Sequence, residues 1–327
     1  MARELSIDVD SFPIIGSFTI SRGAKTSADV VCCTIRDGGA SGRGECVPYP
    51  RYGESVESVA DLIAHMRGDI ANGMERNDLL SAMQTGAARN ALDCALWDLE
   101  AKRTGRRVHQ HACKVPPRPV TTAYTISLGE PDAMAVQARA HADRPLLKVK
   151  VGSDDDIARI RAVAGSAPHS RIILDANEAW TEANIHDNLL AAAEYHIDLV
   201  EQPLPVGHDE LLRNIPHPVP ICADESVHTV DDLDRLAGLY DAVNIKLDKA
   251  GGLTAALKLR DRAHQMGFSV MVGCMVGTSL AMAPAVLLAQ EADYVDLDGP
   301  LLLARDRPFG LTYSGSLVSP PDRRLWG

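Results

Sequence analysis

Six residues in this chain of 327 close short apolar runs with a group capable of chemistry: Lys150, Asp175, Glu201, Asp224, Lys246 and Asp296. The first five are separated by 25, 26, 23 and 22 residues, and the gap to Asp296 is 50. Asp175, Glu201 and Asp224 fall on consecutive strands. Neighbouring strands lie roughly 4.8 Å apart, so three carboxylates there converge on one point. Held together without a cation, they would repel and raise one another's pKa. An all-oxygen donor set favours a hard octahedral ion, which predicts one Mg2+ per subunit ahead of manganese or zinc. Lys148 and Lys150 form a KxK pair facing one side of a strand. Like charge alongside lowers an ammonium pKa, so Lys148 is expected to tune Lys150 as a base near neutrality. Lys246 lies four strands further round an eight-strand ring, opposite Lys150. Two amines flanking a metal suit proton removal from one face of a carbon and delivery to the other, through an enediolate.

These residues need a scaffold that repeats. From Thr121 onward, strand-like cores alternate with helical patterns: 121–126, 146–151, 171–174, 198–200, 220–223, 242–245, 268–272 and 294–295. Eight parallel strands at this period predict a modified TIM barrel, (β/α)7β, with every strand end at its C-terminal mouth. Before it, residues 1–114 show a β-meander around 6–10, 28–36 and 42–47, then helical patterns at 56–72, 77–83 and 87–103. Strands followed by helices imply an α+β capping domain. The KVPPRP run at 114–119 marks the boundary. The barrel is thus expected over 115–304, with the turn-rich segment 305–327 returning to the cap.

Composition excludes other classes. With 33 basic and 44 acidic residues, the net charge of −11 argues against nucleic acid or an anionic membrane as partner. The seven cysteines are odd in number and show no CxxC spacing, so reduced thiols in a cytoplasmic core are expected. The N-terminus MARELSIDVD carries acids where a signal peptide would be apolar. The uncharged stretch 267–290 is broken by Gly273, Gly277 and Pro284, and it reads as a buried strand, turn and helix rather than a membrane span.

The motifs KVK (148–150), DAN (175–177), EQP (201–203), ADES (223–226) and NIKLDKAGG (244–252), in this order, resemble the enolase superfamily and its muconate-lactonizing subgroup. A Lys base with magnesium is that superfamily's device. DLDGP at 296–300 narrows the resemblance to dipeptide epimerases, most closely those acting on L-Ala-D/L-Glu. The resemblance implies that Lys150 and Lys246 are the acid/base pair and Lys148 their tuner. Asp175, Glu201 and Asp224 hold magnesium, and Asp296 and Asp298 hold the substrate ammonium. It further implies an isomerase of murein peptide metabolism acting on a small dipeptide. Relatives carry Arg near Lys25 to meet the Glu side chain. Lys keeps the charge and loses the fork, leaving Arg22 as a substitute. Tyr52 belongs to a cap loop over the mouth, and Cys274 and Met275 leave room for the substrate backbone. Asn177, Gln202 and Glu225, beside the metal ligands, are expected to orient them. Epimerases of other dipeptides, an o-succinylbenzoate synthase or cycloisomerase on the same scaffold, and a non-catalytic binding protein remain as alternatives. A homo-oligomer is left open.

Overall fold

The computed structural model describes residues 2–152 and 154–327. The N-terminal meander consists of β1 (Glu4–Ile20), β2 (Gly23–Asp37) and β3 (Ala40–Cys46), antiparallel in the order β1-β2-β3. The first two strands run well past their apolar alternation. Their register holds from Glu4↔Arg36 to Pro13↔Ser27, slips, and resumes from Phe18↔Lys25 to Ile20↔Gly23. The extension is a hairpin arm with its tip at Ser21 and Arg22. Past Ile14 its side chains are exposed or only half-buried, so no burial period announces its tip in the sequence.

Five helices follow among the described residues: α1 (Val56–His65), α2 (Arg67–Ala71), α3 (Leu79–Ala82), α4 (Ala87–Thr104) and the one-turn α5 (His109–Ala112). The single helix expected over 56–72 breaks at Met66, whose ψ of 0° leaves the helical path. α4 carries buried residues around most of its circumference because it lies between the cap sheet and the barrel. Close approach to β3 requires glycine: a Cβ at Gly42 would sit 2.1 Å from the Ala95 carbonyl oxygen, and one at Gly44 would sit 2.0 Å from that of Ala91.

After the short β4 (Val120–Thr121), eight parallel strands run in ring order: β5 (Tyr124–Ile126), β6 (Leu146–Lys150), β7 (Arg171–Asp175), β8 (Leu199–Glu201), β9 (Ile221–Ala223), β10 (Ala242–Ile245), β11 (Ser269–Val272) and β12 (Tyr294–Val295). The Ala123 N–H donates to the Val295 carbonyl at 2.8 Å and joins the first strand to the last. Among the described residues, β12 is followed only by a 3-10 turn, Gly299–Leu302, and by no α-helix. Instead β13 (Tyr313–Ser314) and β14 (Leu317–Val318) form a small sheet with β4. The C-terminus then docks on α4, where Trp326 Nε1 donates to the Cys94 carbonyl at 3.0 Å and the Gly327 N–H donates to Asp98 Oδ1 at 2.8 Å.

Asp93 on α4 is buried against the barrel. Its Oδ2 accepts from the Thr254 N–H at 2.9 Å, and its Oδ1 has no partner. Burial pushes its pKa up to about 6. Above the ordinary value of 3.8 the unfolded chain releases this proton, whereas the folded chain keeps it until about pH 6. The group's contribution to stability therefore falls as pH rises through that window and is constant above it. Asp93→Asn keeps an acceptor for Thr254 without the titration. Urea unfolding across pH 4 to 6 should show the variant gaining stability relative to wild type as pH rises; a relative loss would contradict the assignment.

Candidate active site

Alternation along the barrel strands builds the site in layers. Ala123, Leu146, Ile173, Leu199, Cys222, Ala242 and Met271 form one apolar cluster inside the ring. Two residues further along, the same faces carry Thr125, Lys148, Asp175, Glu201, Asp224, Asn244 and Gly273, and Asp296 stands likewise two beyond Tyr294, which packs against this cluster. Gly273 leaves room for Asn244, since a Cβ there would lie 2.6 Å from Asn244 Oδ1. Lys148 Nζ lies 3.0 Å from Asp175 Oδ2, 2.7 Å from Glu201 Oε2 and 2.9 Å from Asp296 Oδ2. Asn244 Nδ2 donates to Glu201 Oε1 at 2.8 Å. The next step along the strands brings up Lys150 and Lys246. Lys150 Nζ sits 2.6 Å from Asp175 Oδ2, and Lys246 Nζ sits 2.7 Å from Asp224 Oδ2.

This stacking changes the expected relation between Lys148 and Lys150. Burial alone would lower the Lys148 pKa, but Asp175, Asp296 and Glu201 raise it well above its ordinary value. Lys148 is thus a fixed ammonium among carboxylates, and it reaches Lys150 through Asp175 Oδ2, which both lysines contact. Burial would raise Asp175 too, yet Lys148 and Lys150 hold it below the usual carboxylate range. Lys246 and Lys249 do the same for Asp224 against its burial. Glu201 is pushed up to about 7 by burial and by the charge of Asp175. Its Oε2, although in ion-pair contact with Lys148, makes no hydrogen bond.

Among the described residues, no three carboxyl, thiol or imidazole groups stand together at ligating distance, because the acids lean onto lysines. The donor chemistry nevertheless fits a hard dication. Asp175, Glu201 and Asp224 are essentially without solvent exposure, they end adjacent strands, and Glu201 Oε2 has an unused lone pair.

The loops after β7 and β8 hold these acids from behind. The Asn177 N–H donates to Asp175 Oδ1 at 3.0 Å. Gln202 Oε1 accepts from the Asp224 N–H at 2.8 Å and the Ser226 N–H at 3.1 Å. Asn177, Glu178 and Gln202 all take positive φ, at 46°, 68° and 37°, a conformation that non-glycine residues hold only when their surroundings fix it. Three residues here escape sequence reasoning. Asn244 could have been found, since it lies two positions before Lys246 and shares its strand face. Lys249, whose Nζ reaches Asp224 Oδ1 at 2.6 Å, folds back from a one-turn helix with no periodic signal. Glu178 acts only through the folded cap.

Above the lysines lies a cavity of about 920 Å3, lined by Lys150, Asn177, Asp224, Glu225, Lys246, Cys274 and Met275 from the barrel and by residues 18–29 and 47–56 of the cap. That is room for a small molecule of several groups. Arg22 lines this space too, but its guanidinium is already engaged. It contacts the Asn177 carbonyl at 2.8 Å, Glu178 Oε2 at 3.1 Å, Glu225 Oε1 at 2.7 Å and the Tyr49 hydroxyl at 3.2 Å. Glu178 also takes the fork of Arg51, with two contacts of 2.8 Å, so one barrel carboxylate clamps both cap loops. Lys25 lines the cavity with its Nζ 5.0 Å from the Tyr49 ring centroid, and among the described residues no carboxylate pairs with it. Tyr52 packs edge-on to His228 at 4.6 Å between centroids. Met275 joins an apolar cluster with Phe12, Ile14 and Val47 of the cap. Burial pushes the Cys274 thiol well up, so it is a neutral wall group. Asp296 and Asp298 are buried and, among the described residues, do not line the cavity. Asp298 Oδ2 accepts from the Thr125 N–H at 2.7 Å, and burial together with Asp296 pushes its pKa up to about 7.

A capping sheet and helices over an eight-strand barrel, with lysines and acids at the strand ends, define a class of protein. The chain belongs to the mandelate racemase / muconate lactonizing enzyme family of the enolase superfamily. Residues 3–111 match the N-terminal domain of that family, and residues 133–313 match the enolase C-terminal domain-like family. An N-acetyl-D-glutamate racemase from Pseudoalteromonas sp. is 47% identical over 91% of this chain and 95% of its own length. The L-Ala-D/L-Glu epimerase of Escherichia coli K12 is 42% identical over 93% of this chain and 95% of its own. A crystal structure of an enolase family member from Agrobacterium tumefaciens, with homology to dipeptide epimerases and with bound sodium and L-Ala-L-Glu, superposes with a TM-score of 0.99 at 58% identity, covering 99% of this chain and 100% of that one. A dipeptide epimerase from Enterococcus faecalis complexed with Mg and L-Leu-L-Tyr has a TM-score of 0.91 at 28% identity, covering 98% of both chains.

Lys148→Met would leave three buried acids without their shared ammonium. Removing one partner of a buried charge cluster costs about 3–5 kcal/mol. Urea unfolding with a chelator present should show a loss of that order, with magnesium recovering part of it in proportion to its binding. A variant as stable as wild type would show that Lys148 is not the counter-ion.

Proposed function

We propose that this protein is a magnesium-dependent dipeptide epimerase that interconverts L-Ala-L-Glu and L-Ala-D-Glu by two-base 1,1-proton transfer at the α-carbon of the second residue. The placement of Lys150 and Lys246 carries this reading. They end strands four apart in an eight-strand ring and line one cavity, so they approach a bound carbon from opposite faces. One lysine, neutral, takes the α-proton while the other, as ammonium, supplies one to the opposite face. Asp175, Glu201 and Asp224 would hold the magnesium, which when bound offsets the charge of the substrate carboxylate and so acidifies the α-hydrogen. Lys148 holds Asp175 ionised and orients Glu201. The arm and the 47–56 loop, clamped through Arg22, Arg51 and Glu178, exclude water. Lys25, the cavity cation without a carboxylate, meets the Glu side chain as a point charge, and Cys274 and Met275 leave room for the peptide backbone. Asp296 and Asp298 stabilise the free ammonium of the first residue. We place the activity in murein peptide recycling in the cytoplasm. No helix among the described residues is long and apolar enough to cross a membrane.

A second reading, racemisation of an N-acylated glutamate, is favoured by one observation. Asp296 Oδ2 and Asp298 Oδ2 already accept from Lys148 and Thr125, and neither residue lines the cavity. N-acetylglutamate and L-Ala-Glu share the acyl-glutamate skeleton and differ in the ammonium. Proton NMR in deuterated water with magnesium distinguishes the two readings. Deuterium should enter the Glu α-position of L-Ala-L-Glu, and its absence would reject the epimerase. Asp298→Asn should lower kcat/KM for the dipeptide about tenfold or more, as expected where a carboxylate near the ammonium becomes a neutral amide, and leave N-acetylglutamate turnover unchanged. Equal effects on both substrates would support the racemase.

A further inference from the structure

The two lysines are mounted differently. Among the described residues, hydrogen bonds to the segment 148–152 come from the barrel itself, such as Asp156 accepting from the Gly152 N–H at 2.8 Å. The segment after Lys246 is gripped by the cap. A one-turn helix, Leu247–Ala250, starts at Lys246, whose carbonyl accepts from the Lys249 N–H at 3.1 Å and the Ala250 N–H at 2.9 Å. Asp248 in that turn is buried. Its Oδ1 accepts from the Val47 N–H at 3.1 Å and from Asn90 Nδ2 on α4 at 2.8 Å. Arg89 on α4 donates to the carbonyls of Ala250 at 2.8 Å and Gly251 at 3.1 Å. α4 lies so close here that a Cβ at Gly251 would sit 2.4 Å from Arg89 Nε. Val47 lines the cavity and begins the cap loop that carries Tyr49 and Tyr52. A single carboxylate therefore joins that loop, α4 and the backbone turn that holds Lys246.

We propose that Asp248 is a positioning residue through which the cap sets the geometry of proton transfer on the Lys246 face of the substrate and not on the Lys150 face. The inference rests on the two-base reading above. The turn is bonded to the Lys246 carbonyl, so releasing it from the cap moves the root of the Lys246 side chain, while the root of Lys150 stays fixed in β6; the cap meets Lys150 at its tip, through the Phe18 ring at 5.5 Å and through Asn177, and Asp248 takes part in neither contact. Proton transfer tolerates little displacement; a misplacement of about 1 Å can cost 10²-fold.

Initial rates of α-deuterium incorporation, measured separately from L-Ala-L-Glu and L-Ala-D-Glu, test this asymmetry. Wild type should exchange both, and exchange of neither would fail the two-base reading itself. Lys246→Ala identifies the configuration served by Lys246. Asp248→Ala should slow that configuration about tenfold or more and leave the other within about threefold. Asn90→Ala should act in the same direction, more weakly, and it carries the same test should Asp248→Ala fail to fold. Asp248→Asn, which keeps an oxygen for Val47 and Asn90, should restore the wild-type ratio. An equal fall in both configurations, a fall only on the Lys150 side, or no change in the folded variants would overturn the proposal.

Discussion

Charge that cannot reach water has to be answered inside the barrel, and that constraint orders this structure. Asp175, Glu201 and Asp224 are fully buried carboxylates directly above an apolar layer. Such groups persist only when paired or bound to a cation. Lys148 answers three acids at once, and Lys150, Lys246 and Lys249 answer Asp175 and Asp224 from above. The same electrostatic cage that keeps Asp175 and Asp224 ionised aims two amines into one cavity. Structural demand and chemistry are here met by the same contacts.

The cap contributes in two distinct ways. Its loops, the β1–β2 arm and the 47–56 segment, are tied to the barrel by charge: Glu178 holds Arg22 and Arg51 together, and Glu225 holds Arg22. Its rigid part, α4, is tied by close packing and buried hydrogen bonds to the segment after β10. The first attachment joins half-exposed guanidinium groups to carboxylates that are nearly buried. The second suits a permanent platform, because the glycines at 251 and 252 admit no side chain between helix and turn.

Much of this was legible in the sequence, for a physical reason. Barrel strands alternate with period two and repeat with each βα unit, so Lys150, Asp175, Glu201, Asp224 and Lys246 announce themselves by spacing. The layer that separates Lys148 from Lys150 was not legible, because a KxK pair shows a shared face but not the neighbours each nitrogen meets. Arg22 looked available as a loop cation, yet Glu225, Glu178 and the Asn177 carbonyl, over 150 residues away in the chain, take its donors. The hairpin arm left no pattern because its side chains face solvent on both sides for much of its length. Asp248, with Asn90 and Val47 as partners, depends wholly on how the two domains meet.

The account's central claim is geometric: one carbon lies between two amines, next to an ion held by three acids. A crystal structure with magnesium and L-Ala-L-Glu bound tests it most directly. The account predicts the Glu α-carbon within about 3.5 Å of both lysine nitrogens, Lys150 on one face and Lys246 on the other, with oxygens of Asp175, Glu201 and Asp224 on the metal. Both nitrogens on one face of that carbon, or an ion bound away from the three carboxylates, would contradict it.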